Sequence, residues 1–160
     1  MVIDSHEHIM FPIKMQLDKM DAAGVDKTVL FCTAPHPEKA GTLNELEEEM
    51  AALDKILAGS NTKEDNISRL KKNIAEVAEA VRAYPDRFLG FGAVPLGMEL
   101  EETEKWIDTQ ITSNSLYGIG EFTPGYDGGD KTSDVLMRKI SRYSRYFRTF
   151  GRLKLDGGHK

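Results

Sequence analysis

The sequence contains a single cysteine, Cys32, among 160 residues. No disulfide can therefore form within the chain, and a reducing compartment is expected. No apolar run approaches the roughly 20 residues that a membrane-spanning helix needs. The N-terminus, MVIDSHEHIM, has neither the basic nor the apolar region of a secretory signal. Hydrophobic residues make up 40% and charged residues 29%, as in ordinary globular domains. The composition excludes fibrous and disulfide-stapled proteins and predicts a soluble, cytoplasmic chain that does not act at a membrane.

Charge is distributed unevenly along the chain. Residues 131–160 carry nine Lys or Arg against two Asp or Glu, a net charge of +7. The rest of the chain then carries 12 basic and 24 acidic residues, a net charge of −12. Such asymmetry indicates segments with separate roles. We therefore expect one domain over residues 1–130 and a basic, aromatic-rich tail over residues 131–160.

Apolar patterning predicts strands and helices in alternation. Short apolar runs typical of buried strands cover residues 1–3, 25–33, 88–96 and 116–122. Apolar stripes at helical spacing predict helices over residues 13–23, 43–58, 63–84 and 99–112. No hairpin signal separates the strands, so a parallel α/β sheet is expected. Either an open doubly wound sheet or the first four βα units of a (β/α)8 barrel fits, and a complete barrel takes about 250 residues.

The first predicted strand ends in two histidines, His6 and His8, which lie two residues apart. At that spacing in an extended chain both imidazoles point to the same side, and neutral ring nitrogens suit Zn and related divalent ions. Asp4 could orient one ring through its second nitrogen. The pair is equally compatible with two polar residues at the start of a loop.

Glu121 is a third candidate ligand, at the carboxyl end of the fourth predicted strand. Parallel α/β folds build their sites at this end, and a carboxylate beside an apolar run is costly to bury unless it is paired or metal-bound. An exposed Glu beyond the strand is the alternative. His36 is read as a solvated loop residue, and Cys32 as a small core residue without a base to activate it.

These segments resemble a known family. The order IDSHEHI, MDAAGVDKTVLF and AYPDRFLGFGAVPL resembles the N-terminal half of the metal-dependent amidohydrolase superfamily, in its amidohydrolase-related hydrolase and decarboxylase branch. GIGEFTPG is similar to the fourth-strand segment of TatD-like relatives. The resemblance implies a TIM-type barrel with His6, His8 and Glu121 as ligands of one divalent ion, with Zn favoured and Mn or Fe as alternatives.

Residues after 129 depart from the pattern of that family. The resemblance requires further His and Asp ligands from later strands, but this region offers no apolar strand and no His before His159. We therefore expect an incomplete barrel with a basic helix or tail, from a truncated or frame-shifted chain that is weakly active or inactive. Its parent would hydrolyse a C–N bond of a small molecule, or decarboxylate it, and no catalytic acid or base can be assigned.

Two consequences concern partners. An incomplete barrel leaves unpaired strand edges, so self-association is expected. The alternative function is a non-catalytic module whose Arg- and Tyr-rich tail binds an anionic partner. The acidic body would repel nucleic acid, so a basic amphipathic tail helix packing onto that body is the more economical interpretation.

Overall fold

The structure, a computed structural model, describes residues 1–95 and 97–121. The predicted tail, residues 131–160, lies outside them. Four strands are connected by helices, with two helices between β2 and β3. The order is β1 (Ile3–His8), α1 (Ile13–Ala23), β2 (Lys27–Phe31), α2 (Leu43–Leu57), α3 (Lys63–Ala83), β3 (Phe88–Gly92), α4 (Leu100–Trp106) and β4 (Gly118–Ile119). A 3₁₀ turn (Pro37–Lys39) precedes α2, and a π-helical segment (Ile107–Thr112) extends α4.

The strands form one sheet in the order β1-β2-β3-β4, and every neighbouring pair is parallel. Strands that neighbour each other in sequence therefore lie side by side, joined by helical crossovers. The mixed α/β fold with a parallel sheet is confirmed. Within the described residues the sheet is open, with β1 and β4 at its edges, and it does not close into a barrel.

All four strands have bounds that differ from those predicted, and β2 is two residues shorter than predicted at each end. β1 extends through the polar residues to His8, because its backbone pairs with β2 whatever its side chains are. β3 ends at Gly92, earlier than predicted. β4 is only two residues long, and Gly120, directly after it, has φ 153°, a conformation that favours glycine and takes the chain out of the strand.

Helix ends follow their local signals. Gly24 ends α1 in the left-handed conformation, with φ 69°. Thr42 and Glu45 form a capping box at the start of α2, and Thr62 and Asp65 form another at the start of α3. None of the helices in the described part of the chain is long and apolar enough to cross a membrane.

The core lies between α3 and the sheet. Ile74, Val77 and Ala78 of α3 are almost fully buried, as are Leu30 of β2 and Phe88 of β3. The helix can approach this closely because β3 contains glycines. A Cβ atom added at Gly90 would lie 2.8–2.9 Å from side-chain carbons of Leu116, Val81 and Val77. The absence of a side chain at Gly90 thus allows β3 to pack closely against α3.

Replacing Gly90 by alanine is therefore expected to lower the free energy of unfolding by about 1–3 kcal/mol through overpacking. Urea denaturation measures the change. Gly41→Ala is the control, since a Cβ atom there meets only a side-chain oxygen of Glu45 at 3.4 Å. Equal stability of the two variants would contradict the close packing of β3 on α3.

Candidate metal centre

The three predicted ligands come together at the carboxyl end of the sheet. His6 and His8 lie in β1, and Glu121 follows β4 by two residues. Glu121 Oε2 is 3.6 Å from His6 Nε2 and 3.7 Å from His8 Nε2. One potential ligand atom from each of the three residues lies within 4.8 Å of the other two.

This proximity requires a strongly curved sheet. β1 and β4 are the two edges, and three strand spacings would separate them by about 14 Å in a flat sheet. Side chains from the two edges nevertheless meet, so the sheet curls and the three ligands lie on its concave face. The site therefore depends on tertiary curvature as well as on local sequence.

Aromatic packing fixes the His6 ring. It stacks on Phe31 of β2 with 4.6 Å between ring centroids and 29° between the planes. Phe31 in turn contacts Phe91 of β3, with 5.4 Å between the rings. A Cβ atom added at Gly120 would lie 3.1 Å from Phe31 Cε1, so the glycine lets the chain pass close to this ring on its way to Glu121. Phe31 thus borders both the His6 ring and the backbone at Gly120 that leads to Glu121.

The donor set and spacing fit a divalent ion. The 3.6 and 3.7 Å separations are too long for hydrogen bonds. Two donors bound to a tetrahedral ion with bonds of 2.0–2.2 Å lie about 3.4 Å apart, close to these values. Two imidazoles with one carboxylate suit Zn, Mn and Fe. The three side chains are 43–51% exposed, so one side of the centre is open to solvent and to a substrate.

The outer contacts differ from expectation in one respect. Asp4 accepts a hydrogen bond from the backbone N–H of His6 at 3.1 Å, and it does not bind a ring nitrogen. Asp4 thus holds the β1 backbone rather than an imidazole. His8 Nδ1 is buried and has no hydrogen-bond partner among the described residues, whereas a ligand histidine usually donates its second N–H to a carboxylate, a carbonyl or water.

The interpretation of His36 as a solvated residue is wrong. It is 5% exposed, its Nδ1 lies 3.0 Å from Glu38 Oε1, and its Nε2 lies 3.3 Å from Glu76 Oε2. Its backbone N–H donates to Glu49 Oε2 at 2.8 Å, and its ring meets Phe11 edge-on. The loop can bury this histidine because two carboxylates, one two residues further along the same loop and one in α3, lie within hydrogen-bonding distance of its ring nitrogens. His36 joins the loop after β2 to α2 and α3, apart from the metal centre.

The pKa of Glu38 reflects this environment. Burial, the largest single influence, raises the pKa of its carboxyl, but the backbone N–H groups of Phe11 and of Glu38 itself, together with His36, outweigh burial. The net effect is a pKa below the ordinary value. Glu38 is therefore held as a carboxylate that accepts hydrogen bonds from two loops.

Cys32 behaves as the small, mostly buried residue that was predicted. Its thiol lies 3.6 Å from the carbonyl oxygen of Phe91. Burial raises the pKa of the thiol to about 11, although a backbone hydrogen bond acts in the opposite direction. Because the thiolate is the reactive form, Cys32 is a poor nucleophile.

Comparison with known proteins finds similarity only among solved structures. No family model and no curated protein matches the chain. A crystal structure of 2,6-dihydroxybenzoate decarboxylase from Rhizobium matches with a TM-score of 0.46 and 17% identity. The same enzyme complexed with 2,6-dihydroxybenzoate matches with a TM-score of 0.43 and 17% identity. Each match covers 88% of this chain and 46% of the decarboxylase, so the chain spans less than half the length of these structures.

Proposed function

We propose that this chain carries the metal centre of a metal-dependent enzyme of the amidohydrolase type, which hydrolyses a C–N bond of a small molecule or decarboxylates it. The observation that carries the proposal is the convergence of His6, His8 and Glu121 from opposite edges of one parallel sheet. The donors meet at the end of the sheet where α/β enzymes bind substrates. The sequence resemblance contributes the reaction class.

The three residues would hold one divalent cation, with zinc favoured and manganese or iron as alternatives. When bound, such an ion polarises a substrate oxygen and lowers the pKa of a bound water towards about 7. The protein's own contribution is orientation. Stacking on Phe31 restricts rotation of the His6 ring. The His6 side chain therefore loses little conformational freedom when the ion binds. The open side of the centre would admit the substrate.

A general acid or base remains unassigned. His36 lies between Glu38 and Glu76, and both its ring nitrogens are engaged. The raised pKa of Cys32 keeps it a thiol. We therefore assign catalytic metal binding to the domain of residues 1–130, and we give the basic segment of residues 131–160 no part in the chemistry.

Two assays on the metal-loaded full chain test the proposal and separate its two reactions. Amine or ammonia release from simple amides reports hydrolysis, and CO2 release from aromatic carboxylates reports decarboxylation. We expect slow turnover in one assay, requiring added zinc or manganese and falling more than about 100-fold in Glu121→Gln because the variant loses a charged ligand.

Glu101→Gln is the matched control, since Glu101 is an exposed carboxylate in the first turn of α4. It is expected to retain the activity of the unsubstituted chain. Turnover that survives both chelation and Glu121→Gln would contradict a role for the centre. No turnover in either assay by a chain with a full complement of bound ion would contradict the enzymatic proposal itself.

A further inference from the structure

Helix α2 carries an apolar face that the described residues leave uncovered. The helix contains no buried residue, and Leu43, Leu46 and Met50 are 68%, 36% and 41% exposed. Leu53 and Leu57 continue the same stripe and are partly exposed. The five residues are spaced by three and four, which places them on one side of the helix. A contiguous exposed apolar stripe of this kind marks an interaction site.

The orientation of this stripe is well defined. Thr42 and Glu45 cap the start of α2. Glu49 ties the helix to the body by accepting the backbone N–H of the buried His36. Polar contacts therefore hold the helix in place while its leucines face outward.

Charge on α2 restricts the kind of partner. The helix has five acidic residues and one lysine, a net charge of −4. Docking of α2 on its copy in a second chain would bring like charges together, which is costly at an interface. The complementary partner is a basic helix with its own apolar stripe.

The chain contains one segment with these properties. Leu136, Ile140, Tyr143, Phe147 and Phe150 are spaced by four and three, the counterpart of the α2 spacing. Both stripes span 14 residue steps, about 21 Å in a helix. Residues 136–150 include five Lys or Arg and no acidic residue. Two apolar stripes with an average period of 3.5 residues are the pattern of paired helices.

We propose that residues 136–150 of this chain dock on the apolar face of α2, formed by Leu43, Leu46, Met50, Leu53 and Leu57. The 14 residues between Glu121 and this segment can span up to about 46 Å. The segment can therefore lie far from the end of β4. Docking covers the leucines and neutralises the surrounding carboxylates. The basic segment then has an intramolecular partner in place of an anionic ligand.

Thiol reactivity in the full chain tests the proposal. Met50→Cys places a thiol in the stripe, and Glu48→Cys places one on the opposite side of α2 as the control. The native Cys32 contributes only slow background, because burial raises its pKa to about 11. With a maleimide reagent, we expect the thiol at position 50 to react at least about tenfold more slowly than the thiol at position 48. The thiol at position 50 can react only while residues 136–150 are undocked.

Substitutions in the basic segment identify what provides the protection. Ile140→Asp/Phe147→Asp is expected to remove the protection of the thiol at position 50, so that the reaction rates at positions 48 and 50 agree within about twofold. Ser141→Asp/Thr149→Asp adds the same charge away from the stripe and should preserve most of the protection. Equal rates at positions 48 and 50 in the unsubstituted background would overturn the proposal. Protection that survives Ile140→Asp/Phe147→Asp, or that grows with chain concentration as a second copy would cause, would overturn it as well.

Discussion

Replacing His36 by alanine is expected to lower the free energy of unfolding by about 2–6 kcal/mol, because two mostly buried carboxylates each lose a hydrogen-bond partner at about 1–3 kcal/mol apiece. Glu38 and Glu76 face the two ring nitrogens at 3.0 and 3.3 Å, and their side chains are only 14% and 18% exposed. The ring therefore lies between two mostly buried carboxylates, each within hydrogen-bonding distance of one ring nitrogen. Without the ring, both carboxylates lose this partner.

Urea denaturation of the full chain measures this loss. Glu76→Gln should cost about 1–3 kcal/mol because it weakens one of the two contacts. Glu79→Gln on the same helix is the control, since Glu79 is exposed and such surface changes stay within about 0.5 kcal/mol. A His36→Ala variant as stable as the unsubstituted chain would contradict a structural role for this cluster.

Glu38 gives the cluster a pH dependence with a defined sign. Its pKa in the folded chain lies below the ordinary value of 4.5. A carboxylate of this kind stabilises the fold at pH values above its ordinary pKa, and the stabilisation disappears as pH falls through the lowered pKa. The unsubstituted chain should therefore lose stability below about pH 4.5 more steeply than Glu38→Gln. Parallel pH profiles of the two chains would contradict this assignment.

The second large effect is expected on metal affinity. His6→Ala and His8→Ala should each raise the dissociation constant for Zn²⁺ more than about 100-fold, because even loss of an outer-shell partner costs 10–100-fold. Phe31→Ala removes no ligand and releases only the stacking on His6, so about a tenfold increase is expected. Competition with a chromophoric chelator measures each constant.

Ser5→Ala controls for disturbance of β1, since Ser5 is an exposed residue of the same strand and its hydroxyl is not one of the three candidate ligands. It is expected to bind zinc like the unsubstituted chain. Equal dissociation constants for His6→Ala and Ser5→Ala would show that the histidines do not hold the ion.

The sequence predicted that the three candidate ligands lie together, but not the residues that surround them. The two-residue spacing of His6 and His8 predicted that both rings lie on the same side of an extended chain. Their ring centroids are 5.4 Å apart, although the pairing of β1 with β2 shifts register between Asp4 and Glu7. The approach of Glu121 depends on sheet curvature and on the backbone at Gly120, which no local pattern encodes. Phe31 looked like an ordinary strand residue, although its ring orients His6.

His36 and α2 show why burial was harder to predict. The partners of His36 include Glu76, 40 residues away, and no periodicity links the two. The apolar spacing over residues 43–58 correctly predicted the helix α2. Such spacing identifies the side of a helix that needs cover, but not the segment that provides it. The predicted alternation of strands and helices was confirmed, because the apolar spacing within each segment is enough to distinguish a helix from a strand.

Metal content tests the central claim most directly. The full chain would be loaded with zinc, dialysed and analysed by inductively coupled plasma mass spectrometry, beside His6→Ala/His8→Ala treated in the same way. The proposed centre predicts about one ion per chain in the unsubstituted protein and almost none in the variant, with both folded by circular dichroism. A folded, unsubstituted chain without bound ion, or equal metal content in the two proteins, would contradict the metal centre.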